Sequence, residues 1–182
     1  MERDSLQEIY TRHQSPDPGW GDKGTTHSYI DYYAEVLEPY RDTAKRVLEV
    51  GIAYGHSLNM WVEYFTNASI VGNDISDWFR HKNKPEDAYL DPSIYRIHGD
   101  STDYVIWFDE GPFDVIIDDG SHMVEDQIAT FKNLWPLLNS GGIYIIEDVK
   151  LDALQTIADL DKSSCVYQFG KQYDDNIVDF RK

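Results

Sequence analysis

The stretch Val47-Leu48-Glu49-Val50-Gly51-Ile52-Ala53-Tyr54-Gly55 decides the fold. An apolar run closes on a glycine, a second glycine follows after three residues, and a helical pattern begins near Ser57. Glycine tolerates positive φ and lets a ligand approach the main chain closely, so this reads as a strand, a tight turn and a helix start facing a bound group. One such turn is a weak signal alone; the surrounding pattern strengthens it.

Working outward, strand-like runs at 46–52, 69–75, 94–98, 113–118 and 142–146 alternate with helical patterns at 57–65, 124–138 and 151–160. This is the βαβ rhythm. The runs are nearly continuous in Val, Ile and Leu, as expected of parallel strands covered on both faces. Two further runs, 165–169 and 176–180, flank a polar loop and predict a closing antiparallel hairpin, which makes seven strands. Upstream, Tyr29, Ile30, Tyr33, Val36 and Leu37 recur at helical spacing within 26–40, and residues 1–22 read as a short helix followed by a loop holding Pro16, Pro18 and Gly19. The expected organisation is an extension at 1–22 and a single α/β domain at 23–182.

Composition limits the partners. A chain of 182 residues can bury a core without disulfides, and its net charge of −17 repels nucleic-acid phosphates and anionic lipid, so neither nucleic acid nor membrane is the expected partner. A small-molecule or saccharide ligand fits better. The lone Cys165, expected to be a buried structural thiol, excludes an intramolecular disulfide framework. No run approaches a membrane span and residues 1–10 lack a signal-peptide core, so a cytoplasmic location is expected.

At the end of the second strand, Asp74 suits the ribose hydroxyls of a nucleoside cofactor, and Gly99-Asp100-Ser101 after the third strand suits the adenine. Glu49 before the turn faces a pyrophosphate poorly and a positively charged methionyl group well, while Ala53 replaces the middle glycine of the dinucleotide pattern. Both points disfavour an NAD-dependent oxidoreductase.

Asp118 and Asp119 close the fourth strand, and Glu147 and Asp148 close its expected neighbour, so four carboxylates gather at one sheet edge. Their mutual repulsion calls for a basic side chain or a cation, and oxygen ligands suit Mg²⁺, or Mn²⁺ in its place. Consecutive strand residues face opposite ways, so Glu147 and Asp148 can share a cation only if the chain has already turned there. His122, three residues after Asp119, is close enough to take a proton from a substrate held at the same place.

Together, Glu49-Val50-Gly51-x-x-x-Gly55-x-Ser57, Asp74, Gly99-Asp100-Ser101 and Asp118-Asp119-Gly120-Ser121-His122 resemble class I S-adenosylmethionine-dependent methyltransferases, specifically the macrocin and mycinamicin type of sugar O-methyltransferase, with cephalosporin-hydroxylase-like proteins as relatives. The resemblance, from about Asp22 to the end, implies a Rossmann-like sheet of order 3-2-1-4-5-7-6 with helices on both faces. It implies S-adenosylmethionine bound by Glu49, Gly51, Gly55, Ser57, Asp74, Asp100 and Ser101, with Asp118 supporting the cofactor or orienting His122. A segment like Asp22-Lys23-Gly24 with His27 and Tyr29 covers the cofactor in that family. Asp119, Glu147 and Asp148 are implied as metal ligands and His122 as the base that deprotonates a sugar hydroxyl. The resemblance is compatible with a homo-oligomer. The alternatives are a catechol-like O-methyltransferase, with an aromatic acceptor, and a cofactor-binding partner subunit without catalysis; the presence of Asp119, His122, Glu147 and Asp148 weighs against the latter.

Overall fold

A computed structural model describes residues 3–14, 23–76 and 89–182. The first segment is the helix α1 (Leu6–His13), started by a capping box in which Ser5 and Glu8 satisfy each other's backbone N–H groups. Next come α2 (Tyr29–Val36), β1 (Arg46–Val50), α3 (His56–Tyr64), β2 (Ser69–Asp74) and β3 (Tyr95–His98). They are followed by β4 (Phe113–Asp118), α4 (Val124–Leu134), β5 (Leu138–Ile146), α5 (Leu154–Ala158), β6 (Cys165–Gln168) and β7 (Asn176–Arg181).

One sheet contains all seven strands in the order β3-β2-β1-β4-β5-β7-β6. The first five are parallel, and β7 pairs antiparallel with both β5 and β6, as the hairpin reading predicts. Strand alternation explains the continuous apolar runs. Val47, Val115, Ile117, Ile143 and Ile145 face a core shared with α1, α2 and α3. Leu48, Val50, Ile116, Tyr144 and Ile146 face a second core with Phe131 and Leu134 of α4 and Ile157 of α5. In α1, Leu6, Ile9 and Tyr10 are buried in the first core.

Several boundaries differ from the sequence reading. The long fourth helix ends at Leu134 and passes through a single 3₁₀ turn, Trp135–Leu137, because Pro136 cannot continue the backbone ladder. β5 begins at Leu138, not 142: Gly141 takes φ +81 and the strand runs on through an irregularity in its register with β4. The helix expected at 151–160 shrinks to Leu154–Ala158. Pro39 likewise divides the 26–40 pattern into α2 and a short 3₁₀ turn, Glu38–Tyr40. Cys165 is exposed on β6, contrary to the buried role expected of it, since that strand carries the sheet's edge. Asp22 and the post-β2 residues Trp78, Phe79, His81 and Lys82 lie outside the described residues. Among those described, no helix is long and apolar enough to cross a membrane.

Candidate active site

The carboxyl ends of β1, β2 and β4 meet where the strand order reverses, the position at which open α/β sheets bind ligands. Gly51 makes this approach possible. Its φ is +94, and a Cβ there would lie 2.0 Å from the carbonyl oxygen of Asp119. The adjoining backbone bond, Asp119 N–H to the Val50 carbonyl at 2.9 Å, draws the turn after β1 against the turn after β4.

A cavity of about 190 Å³ opens on the α4 side of these turns. Gly51, Asp74, Asp100, Ser101 and Asp118 line it, with Asn73, Asp126, Gln127 and Thr130 among their companions. Asp74 does more than face this space. Its Oδ2 accepts from the N–H groups of Ile52 and Ala53, and its Oδ1 from Ser76, so it also braces the glycine turn. Asp100 similarly accepts from Thr102, and Ser101 bonds to Thr130 across the cavity wall. Asp118 is buried against Tyr144, and burial pushes its carboxyl up to about 7.

The other predicted residues gather on the opposite side of the strand ends. Glu49 alternates with Val50 and so faces away from the cavity, accepting from Ser57 at 2.9 Å with Lys23 3.3 Å away. Burial pushes Glu49 up to about 7 even though Lys23 opposes the shift. Lys23, His27, Tyr29, Gly55 and Ser57 are likewise absent from the residues lining the cavity. Instead, Lys23 is buried with its ammonium 2.6 Å from Asp119 and in short contact with Glu147. Tyr33 donates to the same Glu147 oxygen. Tyr29 donates to Asp148 at 2.6 Å, and His27 stacks on Tyr29 while standing 3.1 Å from Asp175 and 3.5 Å from Asp148.

Glu147 and Asp148 therefore both face the 23–33 segment although they are consecutive. The chain has turned: β5 ends at Ile146, and Asp148 takes φ +51. His122, itself at φ +56, lies between two carboxylates, Nε2 3.2 Å from Asp119 and Nδ1 3.4 Å from Asp148. Burial alone would lower its pKa; the hydrogen bond and charge of Asp119, with Asp148 and Glu147 behind it, outweigh burial and push it up to about 9. Burial also raises Glu147 and Asp148, against the pull of Lys23 on the first and of His122 on the second. Asp118 makes no bond to His122; it looks into the cavity while Asp119 looks toward the carboxylates.

Two overlapping groups could hold a metal ion among the described residues. One is Asp119, His122 and Asp148; the other is Glu49, Asp119 and Glu147. Lys23 contacts all three members of the second. The ligand set expected from sequence is thus divided between the two groups, joined by Asp119. Sequence reasoning missed Tyr33 and Gln127. Tyr33 carries only the signal of a core helix face. Gln127, three residues into α4, carries in the sequence no signal beyond that of helix packing.

Comparison with known proteins fits this geometry. A family model described as a methyltransferase domain matches residues 48–149. The chain is 35% identical over 140 residues to 8-demethyl-8-alpha-L-rhamnosyl tetracenomycin-C 2'-O-methyltransferase of Streptomyces olivaceus, covering 71% of this chain and 35% of that protein. It is 35% identical over 155 residues to demethylmacrocin O-methyltransferase of Streptomyces fradiae, covering 79% of this chain and 36% of that one. The chain spans about a third of the length of these curated relatives. Among solved structures, the MycE methyltransferase from the mycinamycin biosynthetic pathway, in complex with Mg and SAH, superposes with a TM-score of 0.75 at 26% identity, over 100% of this chain and 55% of that one. With the matched segment running from β1 through the carboxylate turn after β5, the chain belongs to the methyltransferase-domain family.

Proposed function

We propose that this chain is an S-adenosylmethionine-dependent, divalent-cation-assisted O-methyltransferase acting on a sugar hydroxyl of a glycoside or saccharide. The observation that carries this reading is the division of labour at the end of β4. Asp118 lines a ligand cavity on one side of the sheet, and Asp119, its neighbour in sequence, joins His122 and Asp148 on the other. A donor and an acceptor can therefore be held on opposite sides of one turn and meet at its edge. One of the relatives named above is by its name an O-methyltransferase of a rhamnosyl tetracenomycin, which supports a glycoside acceptor.

Both implied cofactors suit the residues present. The cavity offers Asp74, Asp100, Ser101 and the Gly51 backbone to a nucleoside. On the other side, Glu49, Asp119, Glu147 and Asp148 outnumber the single ammonium of Lys23, and a hard cation is suited to that surplus of oxygen donors. Asp119, Glu147 and Asp148 would hold the cation. When bound, S-adenosylmethionine supplies a sulfonium methyl group and the cation polarises acceptor hydroxyls.

His122 is assigned as the group that takes the acceptor proton on a ring nitrogen, which requires the neutral imidazole; a cation held by Asp119 and Asp148 would offset the carboxylate charge that pushes its pKa up to about 9. Asp119 and Asp148 flank the imidazole, fix its plane and stabilise the positive charge it gains. Tyr29, bonded to Asp148, and Tyr33, bonded to Glu147, hold the carboxylates against rotation and exclude water from their far side.

Calorimetric titration of S-adenosylmethionine and its demethylated product, with Mg²⁺ and then with chelator, tests the reading. Saturable binding of both, with a metal-dependent heat lost in Asp119→Ala, is expected; absence of either cofactor form from the cavity overturns it. Transfer to a rhamnoside but not to a catechol would separate the sugar acceptor from an aromatic one.

A further inference from the structure

Gln127 is buried, with a relative exposure of 3%, and it touches both halves of the site. It lines the cavity on the α4 side, and its Nε2 donates at 3.0 Å to the carbonyl oxygen of Glu147 on the carboxylate turn. Its Oε1 is buried and has no hydrogen-bond partner. Reversing the amide would place Oε1 against the Glu147 carbonyl, acceptor against acceptor, so the orientation is set by that contact.

The carbonyl that Gln127 holds belongs to the peptide leading into Asp148, whose φ of +51 is uncommon for a residue with a side chain. That dihedral is what turns Glu147 and Asp148 to the same side. The neighbouring residue is held independently: Val149 N–H donates to the Asn176 carbonyl at 3.1 Å, and Asn176 Nδ2 donates to the Val149 carbonyl at 2.7 Å. Gln127 and Asn176 thus clamp the turn from two elements. Of the pair, only Gln127 is among the residues lining the cavity, and its Oε1, buried behind that wall, is an acceptor whose lack of a partner costs stability until a ligand donor reaches it.

We propose, on the methyltransferase reading above, that Gln127 is a positioning residue through which a nucleoside cofactor and a divalent cation strengthen each other's binding. A ligand N–H or O–H that satisfies Oε1 fixes the amide, the amide fixes the Glu147–Asp148 peptide, and the carboxylates are thereby held for the cation. Linkage requires the effect to be reciprocal.

The test is a four-way calorimetric titration: Mn²⁺ into the protein with and without saturating S-adenosylhomocysteine, and the converse. In the wild type, each ligand should tighten the other about ten-fold, within the usual span of such couplings. Gln127→Met, which has neither polar atom, should reduce both ratios to below about two-fold. Gln127→Glu keeps an acceptor at the cavity but loses the donor to Glu147, so it should bind the nucleoside while losing the coupling; it also serves if the methionine variant does not fold. Thr130→Val, on the same wall but without a bond to the carboxylate turn, should weaken the nucleoside and retain the coupling. Wild-type ratios in both Gln127 variants, or a wild type that binds both ligands independently, overturn the inference. A wild type that binds neither ligand overturns the methyltransferase reading itself.

Discussion

Replacing Lys23 by methionine keeps an unbranched stem, one atom shorter, and deletes the charge. Its ammonium is the counter-ion for Glu49 at 3.3 Å and Asp119 at 2.6 Å, with Glu147 closer still, and its side chain is only 5% exposed. Removing one partner of a buried ion pair costs about 3–5 kcal/mol because the opposite charge is left uncompensated. Three carboxylates share this lysine, but Glu147 is already raised by burial and can take up a proton, which holds the loss within that range. For a domain of this size, each kcal/mol lowers Tm by about 2–4 °C, so Lys23→Met should melt roughly 6–20 °C below the wild type. Thermal unfolding in chelator, followed by circular dichroism, measures this directly. Repeating the melt in Mg²⁺ should recover more Tm in the variant than in the wild type, since the cation then meets carboxylates without competition. A variant within about 2 °C of the wild type in chelator would refute the assignment of Lys23 as their counter-ion.

Gly51→Ala should lose about 3 kcal/mol or more, since its Cβ would sit 2.0 Å from the Asp119 carbonyl at a φ of +94, and nucleoside affinity should fall with it; chemical denaturation and calorimetry check both. Asp179, fully buried on β7 beside Tyr32 at 2.8 Å, is raised by burial above its usual value, so its charged form opposes folding. Its folded pKa exceeds the unfolded one, so the stability it contributes is present below the unfolded value, about pH 4, and is lost as pH rises through the folded one. Asp179→Asn should therefore be more stable relative to the wild type at pH 7 than at pH 3, measured by urea unfolding at each pH. Ser5→Ala should cost about 1 kcal/mol by removing the α1 capping box, visible as a small Tm decrease.

Much of the architecture was legible because two-sided burial writes itself into sequence as long Val and Ile runs; 113–118 was placed to the residue and the hairpin closed as expected. Boundaries failed where one residue overrode a pattern, as Pro136 did in α4 and Gly141 in β5. The carboxylates were found by their position after strands. What the pattern could not reveal is direction: Lys23 reaches Asp119 and Glu147 from a distant part of the chain, and no local spacing encodes that approach. Gln127 was invisible for the same reason, since its role depends on a carbonyl supplied by the far end of β5.

The adjacent pair Asp118 and Asp119 gives this fold a partition. On the function proposed above, one peptide would separate a chamber for the donor from a bay for the acceptor, so that either could change without the other. Met123, Leu151 and Tyr173, about half exposed and close in sequence to His122, Asp148 and Asp175, form no part of the cavity wall. On the function proposed above, exchanging them would test whether the surface beside the carboxylate cluster shapes the choice of acceptor. A library confined to these three positions would therefore probe acceptor choice without altering a residue of the cavity wall.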